Sequence, residues 1–153
     1  MKKPQNDFHG LLHSADLVEA ELRRRLAPLS ILPRQARILE AMGRIGPASQ
    51  SDLASAFRVS SASMSTMTDR LLANGYITRR VDPTSRRRHV LELTEKGQVL
   101  LTGIIEAWEA VDETIRQALG PNAEPFFEMA RQLRDSLGGT IPGAQPAEPD
   151  AEG

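Results

Sequence analysis

Apolar residues recur at helical spacing in the first third of the chain, and they predict two amphipathic helices there. The first helix covers about residues 8–26, and Pro28 follows it as a stop signal. Pro33 opens the second helix at its first turn, where the missing N–H of proline leaves no hydrogen bond unmade. Gly43 and then Gly46 mark the end of that helix.

The next stretch predicts two short helices joined by a tight turn. Ser49 or Ser51 caps the first of them, and Ser60 caps the second, because a serine hydroxyl can accept a hydrogen bond from a free N–H of the first helical turn. Gly75 supplies a left-handed C-terminal cap to the second helix. This order is typical of a helix-turn-helix, in which the second helix is presented to DNA.

The pattern then changes to alternating β-branched residues over 76–81 and 89–93, which predict the two strands of a hairpin. The connection, residues 82–88, combines turn residues with charge, so we expect an exposed basic tip, or wing. Thr94 caps a long helix whose apolar positions continue to Leu119, over about seven turns.

A last helix follows Gly120 and Pro121 and stops at Gly138 and Gly139. The apolar stripes of the first, long and last helices exceed what one small domain can bury, so we expect a second copy of the chain to cover them. The predicted fold class is mainly α with a small β-hairpin, a winged helix-turn-helix flanked by long dimerisation helices. Its parts are a helical dimerisation region (1–28 and 97–138), a DNA-binding domain (29–96) and a disordered acidic tail rich in proline and glycine (139–153).

Composition and charge narrow the function classes. The chain has no cysteine, which excludes disulfides, thiolate metal sites and cysteine redox sensing. No apolar run reaches the length of a bilayer span and residues 1–4 lack the apolar segment of a signal peptide, so we expect a cytoplasmic protein with no membrane partner. The formal net charge is −1, yet residues 79–89 hold five arginines against one acid, a concentration of positive charge suited to phosphate.

The order of elements resembles the MarR family over residues 8–138. The family's wing signature, D-x-R-x-x-x-x-x-L-T-x-x-G, is matched at Arg87, Leu93, Thr94 and Gly97. The ending of its recognition helix, R-L-x-x-x-G, is matched at Arg70, Leu71 and Gly75. Ser85 replaces the acid that opens the wing signature, so the resemblance leaves Asp82 as the candidate substitute for supporting the wing.

The predicted recognition helix has two kinds of face. The core face is assigned to Ser60, Met64, Met67, Thr68 and Leu71. Short, hydroxyl-rich side chains elsewhere suit hydrogen bonds to phosphates and base edges. The predicted DNA-binding residues of this helix are Ser60, Ser61, Ala62, Ser63, Ser65, Thr66 and Arg70. The alternative is that these side chains only cover a solvated helix.

Arg86, Arg87 and Arg88 are the predicted DNA-binding residues of the wing. An arginine at a hairpin tip can enter a narrow minor groove, where the negative potential is enhanced, and the resemblance indicates Arg87 or a neighbour for that role. The alternative is a charged loop that only keeps the protein soluble.

Other chemistry is sparse in the sequence. No catalytic constellation is present, so we expect no enzyme activity, and His9 and His13 stand alone as a histidine pair, so we expect no metal and no cofactor. The resemblance implies a small aromatic effector, for which Trp108, Leu12 and His13 are the candidate pocket, although an aromatic residue at helical spacing is more often core.

These features predict a sequence-specific, ligand-responsive repressor that binds a near-palindromic operator in double-stranded DNA as a homodimer. The twofold axis would present two recognition helices to successive major grooves, about 34 Å apart. Two alternatives stay open: a winged helix that binds an acidic protein, and an architectural DNA binder without site preference.

Overall fold

The computed structural model describes residues 6–143 and confirms the predicted fold class, a mainly helical chain with one β-hairpin. The helices are α1 (Asp7–Leu26), α2 (Pro33–Ile45), α3 (Gln50–Phe57), α4 (Ser61–Ala73), α5 (Glu95–Leu119) and α6 (Ala123–Ser136). The hairpin consists of β1 (Ile77–Asp82) and β2 (Ser85–Leu93), and short 3-10 turns lie at Ala27–Leu29 and Gly120–Asn122. None of the helices between residues 6 and 143 combines the length and the apolar character of a membrane span.

Side-chain caps determine where the central helices begin. Ser49, rather than Ser51, caps α3: its hydroxyl accepts from the backbone N–H of Asp52 at 3.0 Å, and the Asp52 carboxylate accepts from the Ser49 N–H at 3.2 Å. Ser60 caps α4 and Thr94 caps α5 in the same way, each with its hydroxyl on an N–H of the first turn. All three starts lie within a residue or two of the positions that the sequence predicts.

The hairpin differs from its prediction at the tip. Strand β2 begins at Ser85 rather than at residue 89, and the turn between the strands is only Pro83 and Thr84. Val81 pairs with His89 but Asp82 pairs with Ser85, so β2 carries three extra residues, 86–88, at an irregularity of the ladder. The prediction of a loop over 82–88 is therefore wrong for 85–88, because extra residues in one strand bulge out of the ladder without ending it.

The core lies where α2, α4, the base of the hairpin and the first half of α5 meet. Its fully buried side chains are Leu26, Ile38, Leu39, Leu53, Met64, Thr68, Leu71, Leu91 and Ile104. Ala48 exchanges two backbone hydrogen bonds with Leu91, at 2.8 and 3.2 Å, which forms an isolated antiparallel bridge beside the two-stranded hairpin. Gly97 packs so closely under Tyr76 that a Cβ on it would clash with the Tyr76 carbonyl oxygen.

A large apolar surface stays outside this core. The exposed apolar side chains of α1 are Phe8, Leu11, Leu12, Leu17 and Val18. Those of α6 and its C-terminal end are Phe126, Met129, Leu133 and Leu137, which form with Leu11 a groove of about 440 Å³. The dimerisation region predicted for 1–28 and 97–138 therefore presents apolar side chains at its surface, while residues 1–5 lie outside the described part.

The start of the predicted acidic tail lies against the winged domain. The Arg44 guanidinium donates to the carbonyl oxygen of Pro142 at 2.8 Å, and Pro142 is buried. The remainder of that predicted tail, residues 144–153, lies outside the described residues.

Candidate nucleic-acid interface

Helix α4 is held to the domain by one narrow face. Met64, Thr68 and Leu71 are buried, and the Thr68 hydroxyl donates to the Met64 carbonyl at 2.9 Å, so this polar side chain is satisfied inside the core. Met67 is half-buried. Ser60, which the sequence assigned to the same core face, is exposed; that assignment is wrong because Ser60 is the N-cap and precedes the helix.

The residues predicted to contact DNA form the free side of α4. Ser61, Ala62, Ser63, Thr66 and Arg70 are exposed, as is Ser60, and Ser65 is half-buried. The Thr66 hydroxyl donates to the Ala62 carbonyl at 3.1 Å, and the Ser60 hydroxyl lies 3.0 Å from that of Ser63. The first two turns of α4 thus present a surface of small polar side chains, several of them oriented by local hydrogen bonds.

The three wing arginines are all exposed but have different partners. Arg88 donates to the Asp52 carboxylate on α3 and to the Ser49 hydroxyl at 3.3 Å, and its Nε lies 3.8 Å from Asp82 Oδ2. Within the described residues, Arg86 and Arg87 form no ion pair. Arg88 therefore connects the wing to the body of the domain, while the charges of Arg86 and Arg87 stay free for a ligand.

Of the predicted wing supports, Asp82 shapes the turn. Its Oδ1 accepts from the backbone N–H of Thr84 at 2.9 Å and from the Thr84 hydroxyl at 2.8 Å. These two hydrogen bonds, followed by the charges of Arg88 and Arg80, lower the pKa of Asp82 below its usual value. Ser85 lies opposite Asp82 in the ladder, so it closes the hairpin through its backbone.

Asp52 and Ser49 are wing supports that the sequence reasoning missed. The hydrogen bond from Ser49 lowers the pKa of Asp52 most, and the nearby Arg88 guanidinium lowers it further, so the carboxylate stays charged beside the wing. The spacing of Ser49 and Asp52 signals a helix cap, but no local pattern connects them to an arginine far along the chain.

Helix α3 brings the two predicted DNA-binding elements together. The side-chain Oε1 of its first residue, Gln50, lies 3.3 Å from the Thr68 hydroxyl of α4, and its third residue, Asp52, accepts a hydrogen bond from Arg88 of the wing. Both elements are thus attached to the same turn of α3, which makes them neighbours on the domain.

The candidate effector residues lie apart within one chain. Leu12 and His13 are exposed on α1 and line an open surface depression that does not reach Trp108. Trp108 is half-buried against the core. Over residues 6–143, no three His, Cys, Asp or Glu side chains form a group that could hold a metal ion.

The winged region carries the sequence similarity to a known family. The model of the MarR family matches residues 31–89, which run from just before α2 into β2. The winged region of this chain is thus similar to the MarR family, in agreement with the resemblance found in its wing and recognition-helix motifs.

Individual bacterial regulators show how far the similarity extends. The HTH-type transcriptional repressor NicR of Pseudomonas putida is 35% identical over 92 residues, which cover 60% of this chain and 58% of NicR. The match thus spans less than two thirds of NicR. A probable transcriptional regulator from Pseudomonas aeruginosa is 27% identical, with a TM-score of 0.70 over 86% of this chain and 97% of the other.

The same fold occurs in a solved DNA complex. A cysteine-to-serine mutant of MarR from E. coli, complexed with operator DNA, superposes with a TM-score of 0.72 over 86% of this chain and 94% of that one. The two sequences are 19% identical, so this likeness shows the shared fold.

Proposed function

We propose that this chain is a transcriptional repressor that binds a near-palindromic operator in double-stranded DNA as a homodimer. The observation that carries the proposal is the attachment of α4 and the wing to one turn of α3. It places a hydroxyl-rich helix beside Arg86 and Arg87, which form no ion pair with any residue between 6 and 143. NicR is a repressor by name, and the E. coli MarR mutant was solved on operator DNA, which supports the same role here.

Each element has a distinct task in this proposal. The first two turns of α4 enter the major groove, where Ser61, Ser65 and Thr66 hydrogen-bond to phosphates and base edges and Ala62 contacts a thymine methyl group. Arg87, in the bulge of β2 next to the tip of the wing, enters the adjacent minor groove and adds charge that displaces counterions. This helix offers few arginines for bidentate hydrogen bonds to guanine. We therefore expect the shape of the DNA and contacts with thymine methyl groups to contribute much of the sequence specificity.

The homodimer follows from the apolar surface. The groove between Leu11 and the α6 residues Phe126, Met129 and Leu133 is open in one chain, and a second copy can fill it with the same side chains around a twofold axis. Burial of apolar area at about 25 cal/mol per Å² favours such an interface. The axis would set the two copies of α4 about 34 Å apart, one turn of B-DNA.

Regulation by a small aromatic effector is part of the proposal. In the dimer, α1 of one copy would pass near α5 of the other and could bring Leu12 and His13 toward Trp108, a neighbourhood that one chain does not form. Effector binding there would change the spacing of the two winged domains and release DNA. We also propose that the protein acts in the cytoplasm and has no enzymatic role.

Selection of bound duplexes from a random pool tests the central proposal. We expect enrichment of a near-palindrome whose half-sites are about 10 base pairs apart. Binding without enrichment of any sequence would instead indicate an architectural DNA binder. Absence of binding at low salt would favour a winged helix that recognises an acidic protein.

A further inference from the structure

A second basic site lies away from the wing. It is a cavity of about 310 Å³ between α2, the α3–α4 turn and the C-terminal segment, by which we mean residues 138–142. We call it the arginine cavity and define it by Arg34, Arg37, Phe57, Arg58, Met67 and Pro142. Three guanidinium-bearing side chains thus surround an apolar floor, a combination that suits a carboxylate attached to a short, partly apolar segment.

The arginines of this cavity lack counter-charges in the described part of the chain. No carboxylate within residues 6–143 lies within ion-pair distance of Arg34, Arg37 or Arg58, whereas Arg44 on the same helix, α2, pairs with Glu40 at 3.0 Å. Three like charges around one cavity repel each other, and an anion bound among them relieves that repulsion.

The C-terminal segment leads directly to this cavity. Arg58 donates to the Gly138 carbonyl at 3.4 Å and Arg44 donates to the Pro142 carbonyl at 2.8 Å, so two arginines fix the path of residues 138–142. Pro142 is itself part of the cavity wall. The residues that follow, 144–153, contain Glu148, Asp150 and Glu152 and no lysine or arginine.

We propose that the acidic residues of segment 144–153 dock in the arginine cavity of the same chain. Glu148 is five residues beyond Gly143, a reach of about 17 Å in an extended chain, which is enough to cross a cavity of this size. A tether this short holds the carboxylates at a millimolar effective concentration, so individually weak ion pairs are sufficient for docking.

Docking would also affect DNA binding, and this second step rests on the proposed function. Arg58 comes two residues before Ser60, the cap of the recognition helix, so the docked carboxylates would lie close to the phosphates that approach the start of α4. The acidic segment would then compete with the DNA backbone and weaken binding to non-specific duplex more than binding to the operator, which has additional base contacts.

The direct test compares the full chain with its E148Q/D150N/E152Q variant by NMR of the arginine Nε–Hε signals. We expect the signals of Arg34, Arg37 and Arg58 to differ between the two proteins at 50 mM salt, and to converge at about 500 mM salt, where screening is strong. The matched control is E106Q/E109Q/E113Q, which removes the same charge from exposed positions of α5 and should leave the three signals unchanged.

The receptor side is tested with Arg37→Gln. This variant should abolish the difference at Arg34 and Arg58, whereas Arg131→Gln, on α6, should preserve it. Identical arginine signals in the full chain and in the neutralised variant would overturn the docking. A different outcome is that inorganic phosphate or acetate shifts the arginine signals of both proteins equally, while neutralisation of the three acids has no effect. That result would indicate a site for free small anions and would also overturn the docking.

The effect on DNA is measured separately. We expect E148Q/D150N/E152Q to bind random duplex about threefold to tenfold more tightly than the full chain at 50 mM salt, with a smaller gain on the selected operator. If the arginine signals differ but the two proteins bind DNA with the same affinity, the acidic segment docks without competing with the DNA backbone, and the competition is overturned. Absence of DNA binding by either protein would count against the proposed function and would leave the NMR result intact.

Discussion

The guanidinium of Arg88, on strand β2, donates to the carboxylate of Asp52, in the first turn of α3 and 36 positions earlier in the chain. This pair divides the wing arginines by role. Arg88 holds the wing against the domain, and Arg86 and Arg87 extend beyond it without a carboxylate partner in the described structure. The predicted DNA contacts of the wing therefore fall mainly on these two residues.

Removal of the Arg87 side chain should weaken operator binding. We expect Arg87→Ala to lower operator affinity at least tenfold, which corresponds to about 1.4 kcal/mol, because the variant lacks the guanidinium that is proposed to bind in the minor groove. Fluorescence anisotropy measures the affinity, and sedimentation should show an intact dimer. Unchanged affinity would remove the wing from the mechanism.

The Arg88–Asp52 pair should contribute to affinity through the position of the wing. Asp52→Asn keeps an acceptor for the Ser49 N–H but removes the charge opposite Arg88, so we expect operator affinity to fall about threefold. Both side chains are about half exposed, and the coupling in a double-mutant cycle with Arg88→Gln should be only about 0.5–1 kcal/mol. Additive effects of the two substitutions would contradict a direct interaction.

The pH dependence of stability should reflect the lowered pKa of Asp52. A carboxyl whose folded-state pKa lies below its unfolded value of 3.8 stabilises the protein fully above that value, and the contribution is lost as pH falls toward the folded-state pKa. Urea unfolding at pH 6 and at pH 3 measures the loss. We expect Asp52→Asn to lose less stability over this interval than the parent, and an equal loss in both proteins would refute the assignment.

Gly97 should tolerate no side chain. Gly97→Ala places a Cβ against the backbone carbonyl of Tyr76, which cannot move without disturbing the hairpin, so we expect the free energy of unfolding to fall by about 2–4 kcal/mol. Gly10→Ala is the matched control, because nothing lies within 4 Å of a Cβ there and alanine is the better helix former. Urea unfolding of the two variants should therefore give shifts of opposite sign.

The proposed dimer should depend on the apolar face of α6. Leu133→Glu puts a charge into the groove shared with Leu11, and we expect it to give a monomer in sedimentation at micromolar concentration, with loss of high-affinity operator binding. Leu32→Glu is the control, because Leu32 is exposed at the start of α2, outside that groove and outside the predicted dimerisation region, and should leave the dimer intact. A parent protein that is already monomeric would refute the dimer.

The starts of the helices and the type of fold were accessible from the sequence. Ser49, Ser60 and Thr94 mark helix starts because a cap acts over three residues, and the apolar periodicity of each helix is equally local. The recognition-helix and wing motifs were readable for the same reason: their residues are close in sequence. The error at Ser60 arose from extending the helical period one residue past the point where the helix begins.

The roles of individual wing residues depended on the tertiary structure. No period or spacing relates Asp52 to Arg88, since their contact exists only after α3 and β2 have packed, and the same holds for Arg44 and Pro142. The extension of β2 back to Ser85 also required the partner strand, because a ladder is formed by pairing and not by one strand's own pattern. Sequence alone thus determined the elements and the resemblance to the MarR family, because these depend on residues close together in the chain. The fold decided which charges are neutralised and which stay free, because that depends on distances between residues far apart in the chain.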